Sequence, residues 1–163
     1  MSFRSVNEIE KFSFDDCEIV KIEETGNGLE FLLEALIVLP DNSQNSNYTK
    51  SYAGTAKLIA RGAAVLDAVV EGFKEYDAND VLLRDVGDEA MSPEETHLLF
   101  KTAENAGLFL FRFEKGQEGE YRFWIERTAE DDPQGIESTI YRIRIRAEEI
   151  SVSWDRYQNR VSD

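Results

Sequence analysis

The chain has 163 residues, with 33 acidic and 18 basic side chains, a formal net charge of −15 and one cysteine. A surface of this sign repels nucleic-acid phosphates and anionic bilayers and favours basic proteins, peptides or small cations. One cysteine excludes an intramolecular disulfide and zinc sites built on several thiolates, and it fits a reducing, cytoplasmic compartment.

In chain order, Met1-Ser2-Phe3-Arg4-Ser5 runs into Glu8 and Glu10 without the apolar stretch of a signal peptide. The first turn signal is Glu24-Thr25-Gly26-Asn27-Gly28-Leu29, in which an Asn-Gly pair sits between apolar runs. Its flanks, 17–23 and 29–39, read as the two strands of a hairpin. In 29–39 the odd positions Leu29, Phe31, Leu33, Ala35, Ile37 and Leu39 are all apolar and predict one continuously buried face. Glu30 and Glu34 interrupt this run, which is also too short to span a bilayer. Pro40 closes the strand. The polar run Asp41-Asn42-Ser43-Gln44-Asn45-Ser46-Asn47 predicts a solvent loop, the kind of segment that can carry recognition. Asn47-Tyr48-Thr49 matches a glycosylation acceptor, which without a secretory signal is read as chance.

Residues 51–73 fit either a helix or strands. Gly54, Gly62 and Gly72 are each costly inside a helix and favour strands, with Tyr76-Asp77-Ala78-Asn79-Asp80-Val81 as a further turn. Ser92-Pro93-Glu94-Glu95 is a capping box with Pro in the first turn. It predicts one helix around 93–106 through Leu98, Leu99, Phe100, Ala103 and Ala106, stopped by Gly107. Period-two patterning then returns. It places Phe109, Phe111 and Phe113 on one face, and Tyr121, Phe123 and Ile125 on one face. Thr139, Tyr141, Ile143 and Ile145 follow in the next strand, and Ile150, Val152 and Trp154 in the last. Residues 115–119 and 131–135 read as turns, and 158–163 as a frayed tail.

The chain is therefore expected to be one domain over 1–163. Its predicted class is α+β and predominantly antiparallel β, a curled sheet or barrel-like meander with one clear helix. At this length it can bury roughly 70% of its unfolded surface, so it needs no covalent or metal staple.

Candidate chemistry is sparse. Cys17 and His97 alone could pair as thiolate and imidazole, but Asp15, Asp16 and Glu18 oppose a thiolate. Asp77-Ala78-Asn79-Asp80 begins like a calcium loop and then fails at Val81 and Leu82. There is no phosphate-binding glycine loop and no nucleophile elbow. No catalytic, cofactor-binding or metal residue is assigned and no cofactor is expected.

The unusual feature is an arginine stripe in an acidic chain. Arg142, Arg144 and Arg146 share one strand face, with Arg122 and Trp124 on a neighbouring strand. It reads either as an anion or ligand face, since guanidinium presents a bidentate fork, or as cross-strand pairing with Glu114, Glu120 or Glu126.

Three stretches, Phe12-Ser13-Phe14-Asp15-Asp16-Cys17, Leu36-Ile37-Val38-Leu39-Pro40-Asp41-Asn42 and Val152-Ser153-Trp154-Asp155-Arg156-Tyr157, resemble segments of small bacterial proteins of unknown function. The resemblance implies no activity and brings no functional residue with it. The sequence points first to a non-enzymatic protein that binds a basic protein partner, in the manner of an immunity protein or inhibitor. It is expected to bind neither nucleic acid nor membrane. A small-ligand binder using a sheet face and a carboxylate-based enzyme are the alternatives.

Overall fold

The computed structural model describes residues 2–128 and 138–160. Strand β1 (Phe3–Val6) leads through a short 3-10 turn (Ile9–Lys11) into β2 (Phe12–Ser13). The hairpin of β3 (Glu18–Thr25) and β4 (Gly28–Glu34) follows, with Thr25 paired to Gly28 across the Gly26-Asn27 turn. Gly28 has φ +133°, and a Cβ there would lie 2.1 Å from the Ala60 carbonyl oxygen, so the turn requires glycine.

The single strand expected over 29–39 is broken. Ala35 takes φ 59°, and the chain resumes as β5 (Ile37–Val38) in a different sheet. The kink shifts the phase: Leu29, Phe31 and Leu33 are buried before it, and Leu36, Ile37 and Val38 after it.

Residues 51–73 form strands. β6 (Ser51–Ala53), β7 (Ala56–Arg61) and β8 (Ala64–Val70) lead into β9 (Phe73–Tyr76), and β10 (Leu82–Val86) and β11 (Glu89–Ala90) return. Helix α1 (Pro93–Thr102) starts on the predicted capping box, with the Ser92 hydroxyl accepting the Glu95 N–H and the Glu95 carboxylate accepting the Ser92 N–H. It ends at Thr102, before the expected boundary, and 103–106 are a turn. Leu99, Phe100 and Ala103 enter the core, whereas Leu98 is 60% exposed.

β12 (Leu108–Lys115), β13 (Glu120–Thr128), β14 (Ser138–Arg146), β15 (Glu149–Trp154) and β16 (Tyr157–Arg160) complete the chain. Phe109, Phe111 and Phe113 do not share a face. A bulge between Leu110 and Arg112 makes Phe111 an extra residue, so Phe109 points outward and Phe113 inward. Tyr121, Phe123 and Ile125 do share a buried face, as do Ile150, Val152 and Trp154. Residues 158–160, expected to fray, lie within β16, which pairs with β6. The turn at 131–135, with Asp131 and Asp132, lies outside the described residues.

The main sheet is antiparallel, in the order β1-β15-β7-β4-β3-β12-β13-β14-β8-β11. Its two halves join at β3–β12, where only Leu108↔Ile19 and Phe109↔Glu18 pair. The sheet curls about this seam. Phe31 on β4 meets Phe123 on β13 edge-to-face with centroids 5.2 Å apart, although two strands separate them in the sheet.

Two connections, β7 to β8 and β14 to β15, cross between the halves, so the sheet is not a simple meander. The Glu148 N–H donates to the Arg61 carbonyl at 2.9 Å where these crossings meet. The end strands β1 and β11 do not pair with each other, so the sheet is curled but not closed into a barrel. Phe100 of α1 packs on Phe123 at 6.5 Å and covers one opening. The small sheet β16-β6-β5-β2 covers another around Phe12 and Trp154. The buried hydrophobic side chains other than Ile37 and Trp124 share one cluster. Among the described residues no helix is long and apolar enough to cross a membrane.

The Asn-rich segment after Pro40 is fastened. Asn42 and Asn45 are buried. The Asn45 side-chain amide donates to the carbonyls of Val38, Leu39 and Thr49 at 3.2, 3.1 and 2.9 Å. Asn42 donates to the Lys11 carbonyl at 3.3 Å.

Candidate functional site

The arginine stripe lies on the outer face of β13, β14 and β8. Antiparallel register sets Arg142 opposite Trp124, Arg144 opposite Arg122, and Arg146 opposite Glu120. Carboxylates converge on it. Arg144 meets Asp67 at 2.6 Å and Glu120 at 3.6 Å, and Arg146 meets Glu120 at 3.5 Å. Arg142 meets Glu71 at 3.3 Å and Asp88 at 3.5 Å. Of the expected acids, Glu120 pairs with the stripe. Glu114 instead holds Arg112, whose guanidinium lies 4.5 Å over the Trp124 ring. Glu71, Asp67 and Asp88 come from the β8–β11 region, which local patterning could not connect to β14. Arg122 and Arg144 line a small cleft of about 80 Å³ with Gly116, Gln117 and Glu120. Arg142, Arg144 and Arg146 thus meet carboxylates as cross-strand pairing predicts, while Arg122 has no ion pair among the described residues and stands opposite Arg144.

The partners of Arg142 give the stripe a structural task. β9 and β10 continue the pairing of β8 with β11 in one register: Val70↔Glu89 and Val69↔Ala90 below, Phe73↔Val86 and Lys74↔Asp85 above. The four strands form one long arm whose outer part, 73–86, leaves the main sheet. The bend is at Gly72, where a Cβ would lie 2.0 Å from the Val86 carbonyl oxygen. The Gly72 N–H donates to Asp88 at 2.7 Å. Glu71 and Asp88, one on each side of this root, both contact Arg142, and the Trp124 indole N–H donates to Glu71 at 2.9 Å.

At the tip, the residues resembling a calcium loop close a turn on themselves. The Asp77 carboxylate accepts the N–H groups of Asn79 and Val81 at 2.8 and 3.0 Å. Arg84 sits 4.8 Å over the Phe73 ring and 3.3 Å from Glu75. Phe73, Tyr76, Val81, Leu82 and Leu83 are nevertheless exposed, and none joins the core. The sequence marks Phe73 as strand and Tyr76 to Val81 as turn and assigns Leu82 and Leu83 to neither, and nothing local shows that these side chains lack a packing partner.

Cys17 and His97 are not brought together. Cys17 is 1% exposed, and burial, with the Glu18 charge adding to it, pushes its thiol far up. His97 Nδ1 lies 2.6 Å from Glu24, in a cleft between α1 and β3 that also holds Lys21, Glu23 and Glu104. A groove of about 520 Å³ runs between Ile9–Asp15 and the bulged part of β12. Its aromatic floor, Phe12, Phe14 and Phe113, is itself part of the core. Among the described residues no three His, Cys, Asp or Glu side chains are placed to hold a metal.

No family model, curated protein or solved structure matches this chain.

Proposed function

We propose that the chain is a binding protein for a basic protein partner, acting by association and not by catalysis. The observation that carries this reading is the disposition of charge. Arg4, Lys11, Lys21, Arg61, Arg84 and Arg112 each lie within 4.0 Å of a carboxylate of the same chain, as do the three stripe arginines. Half of the 18 basic side chains are thus engaged internally, and most of the 33 acidic side chains stand outside these pairs, which leaves the surface strongly negative.

On β3 and β4, Glu18 stands directly opposite Glu34, and Glu23 opposite Glu30. Like charges in directly opposed positions destabilise a strand pair, and binding to a cationic surface relieves that repulsion. The reading predicts fast, salt-sensitive association. On the same electrostatic ground it disfavours nucleic acid and anionic membrane as partners.

The test is to purify the intact protein from its own cells at low salt and weigh the complexes by native mass spectrometry. A basic protein that dissociates as salt rises supports the proposal. An associated acidic protein, or a bare chain at the expected 18.6 kDa, overturns it. A small retained mass transfers the case to ligand binding.

A further inference from the structure

The outer arm, 73–86, carries apolar side chains into solvent along both strands. Phe73, Tyr76, Val81, Leu82 and Leu83 are each between 48% and 60% exposed. Singly exposed apolar residues are ordinary, but a run of them on one projecting element marks a contact surface. β10 and β11 form the terminal edge of the arm, with no strand beyond them among the described residues. The arm is also pre-formed. Its root is tied through Arg142, its bend is held by Gly72 and Asp88, and its tip is capped by Asp77. A pre-formed element loses little entropy on binding.

We infer that this arm is the element by which the chain docks on its basic partner, its apolar side chains entering a cleft of the partner and its carboxylates meeting the partner's cations. The inference rests on the reading proposed above. Charge decides the kind of partner. Over 73–86 the chain carries Glu75, Asp77, Asp80 and Asp85 against Lys74 and Arg84, and Arg84 is engaged by Glu75 and Phe73, so the arm is net acidic. A second copy of the chain would set these carboxylates against their own kind, whereas a basic surface complements them. Tyr76 and Phe73 are residue types that anchor interfaces, and apolar anchors with polar groups around them are the usual anatomy of one.

The test uses the full chain carrying a benzophenone photo-crosslinker in place of Leu83, irradiated in its own cells. A chain substituted at Leu98, equally exposed on α1, is the control. The expected result is a covalent adduct with a basic protein from position 83 and none from position 98. In parallel, Leu82→Ser with Leu83→Ser keeps the wild-type melting temperature, since neither side chain is buried, and binds that protein about tenfold more weakly or worse. An adduct with a second copy, equal adducts from both positions, or no adduct from position 83 overturns the inference. If a basic protein co-purifies in a salt-sensitive way but the double variant binds it as wild type does, the arm is excluded while the function stands. If no basic protein co-purifies, both fall together.

Discussion

Arg142 and Glu71 meet at 3.3 Å where β14 runs beside the root of the arm, and Trp124 donates its indole N–H to the same carboxylate oxygen at 2.9 Å. Asp88, on the returning strand, adds a 3.5 Å contact to the same guanidinium. One cation thus ties both strands of the root to the main sheet. The pair is partly exposed, so its loss costs at most about 1 kcal/mol of global stability. Its effect is local. Arg142→Met leaves the melting temperature nearly unchanged and accelerates amide exchange within 72–86, while exchange in β3 and β4 stays as in wild type. Unchanged exchange in the arm would show that backbone pairing alone holds it.

Cys17 is expected to be inert in the folded protein. The thiolate is the reactive species, and burial drives the thiol away from it. Iodoacetamide near neutral pH labels Cys17 only as fast as the protein unfolds, so the rate rises steeply with urea. Rapid labelling of the native chain would contradict the buried placement and reopen thiol chemistry.

Much of the fold was legible because alternation reports burial directly where a strand keeps its period. Tyr121, Phe123 and Ile125 alternate and are buried together, and Ser92 to Glu95 specified the helix start by local hydrogen bonding alone. Legibility failed where the backbone leaves the period. The bulge at Phe111 and the positive φ of Ala35 each reverse the inward face, and neither residue type announces this. The arginine stripe was legible as a face but not as an anchor, because Glu71 is 71 residues from Arg142. The apolar residues of the arm were equally opaque, since exposure there follows from the arm outrunning its neighbouring strands, which is a property of topology.

The sequence places Asn45 in a solvent loop, and the structure sets its side-chain amide against three backbone carbonyls. Asn45→Ala leaves these acceptors without their donor near the core, at a cost of about 1–3 kcal/mol. The measurement is a urea titration, in which the midpoint falls while the slope stays constant. Asn45→Asp is at least as harmful, because it turns a carboxylate towards carbonyl oxygens. A variant as stable as wild type would show that water satisfies these groups.

Phe31 is fully buried and packs edge-to-face against Phe123 at 5.2 Å and Phe113 at 6.3 Å, so one side chain on β4 holds two residues of the opposite half-sheet. The halves share only two paired residues on each strand at the seam, which leaves side-chain packing to keep the curl. Phe31→Ala should cost about 3–5 kcal/mol, a large part of the roughly 5–15 kcal/mol that stabilises a domain. Chemical denaturation reads the loss, and a loss below about 1 kcal/mol would mean that the halves repack without it.

Glu8 links the N-terminal segment to the Asn-rich loop, and its titration should be visible in the acid stability of the protein. Partial burial raises its carboxyl, but hydrogen bonds from the Ser43 and Ser5 hydroxyls and the Ser43 N–H, with the Lys11 charge, outweigh this and hold it below its ordinary value. A carboxyl depressed in the folded state contributes stability that is fully present above its unfolded pKa. That contribution is lost as pH falls through the folded one. Glu8→Gln should therefore be less stable than wild type at neutral pH, and the gap should narrow as pH drops below the ordinary carboxylate range. Urea midpoints of the two proteins across an acid pH series read this directly. Parallel curves would mean that Glu8 keeps the same proton affinity folded and unfolded, and that its hydrogen bonds to Ser43 and Ser5 do not favour the charged form.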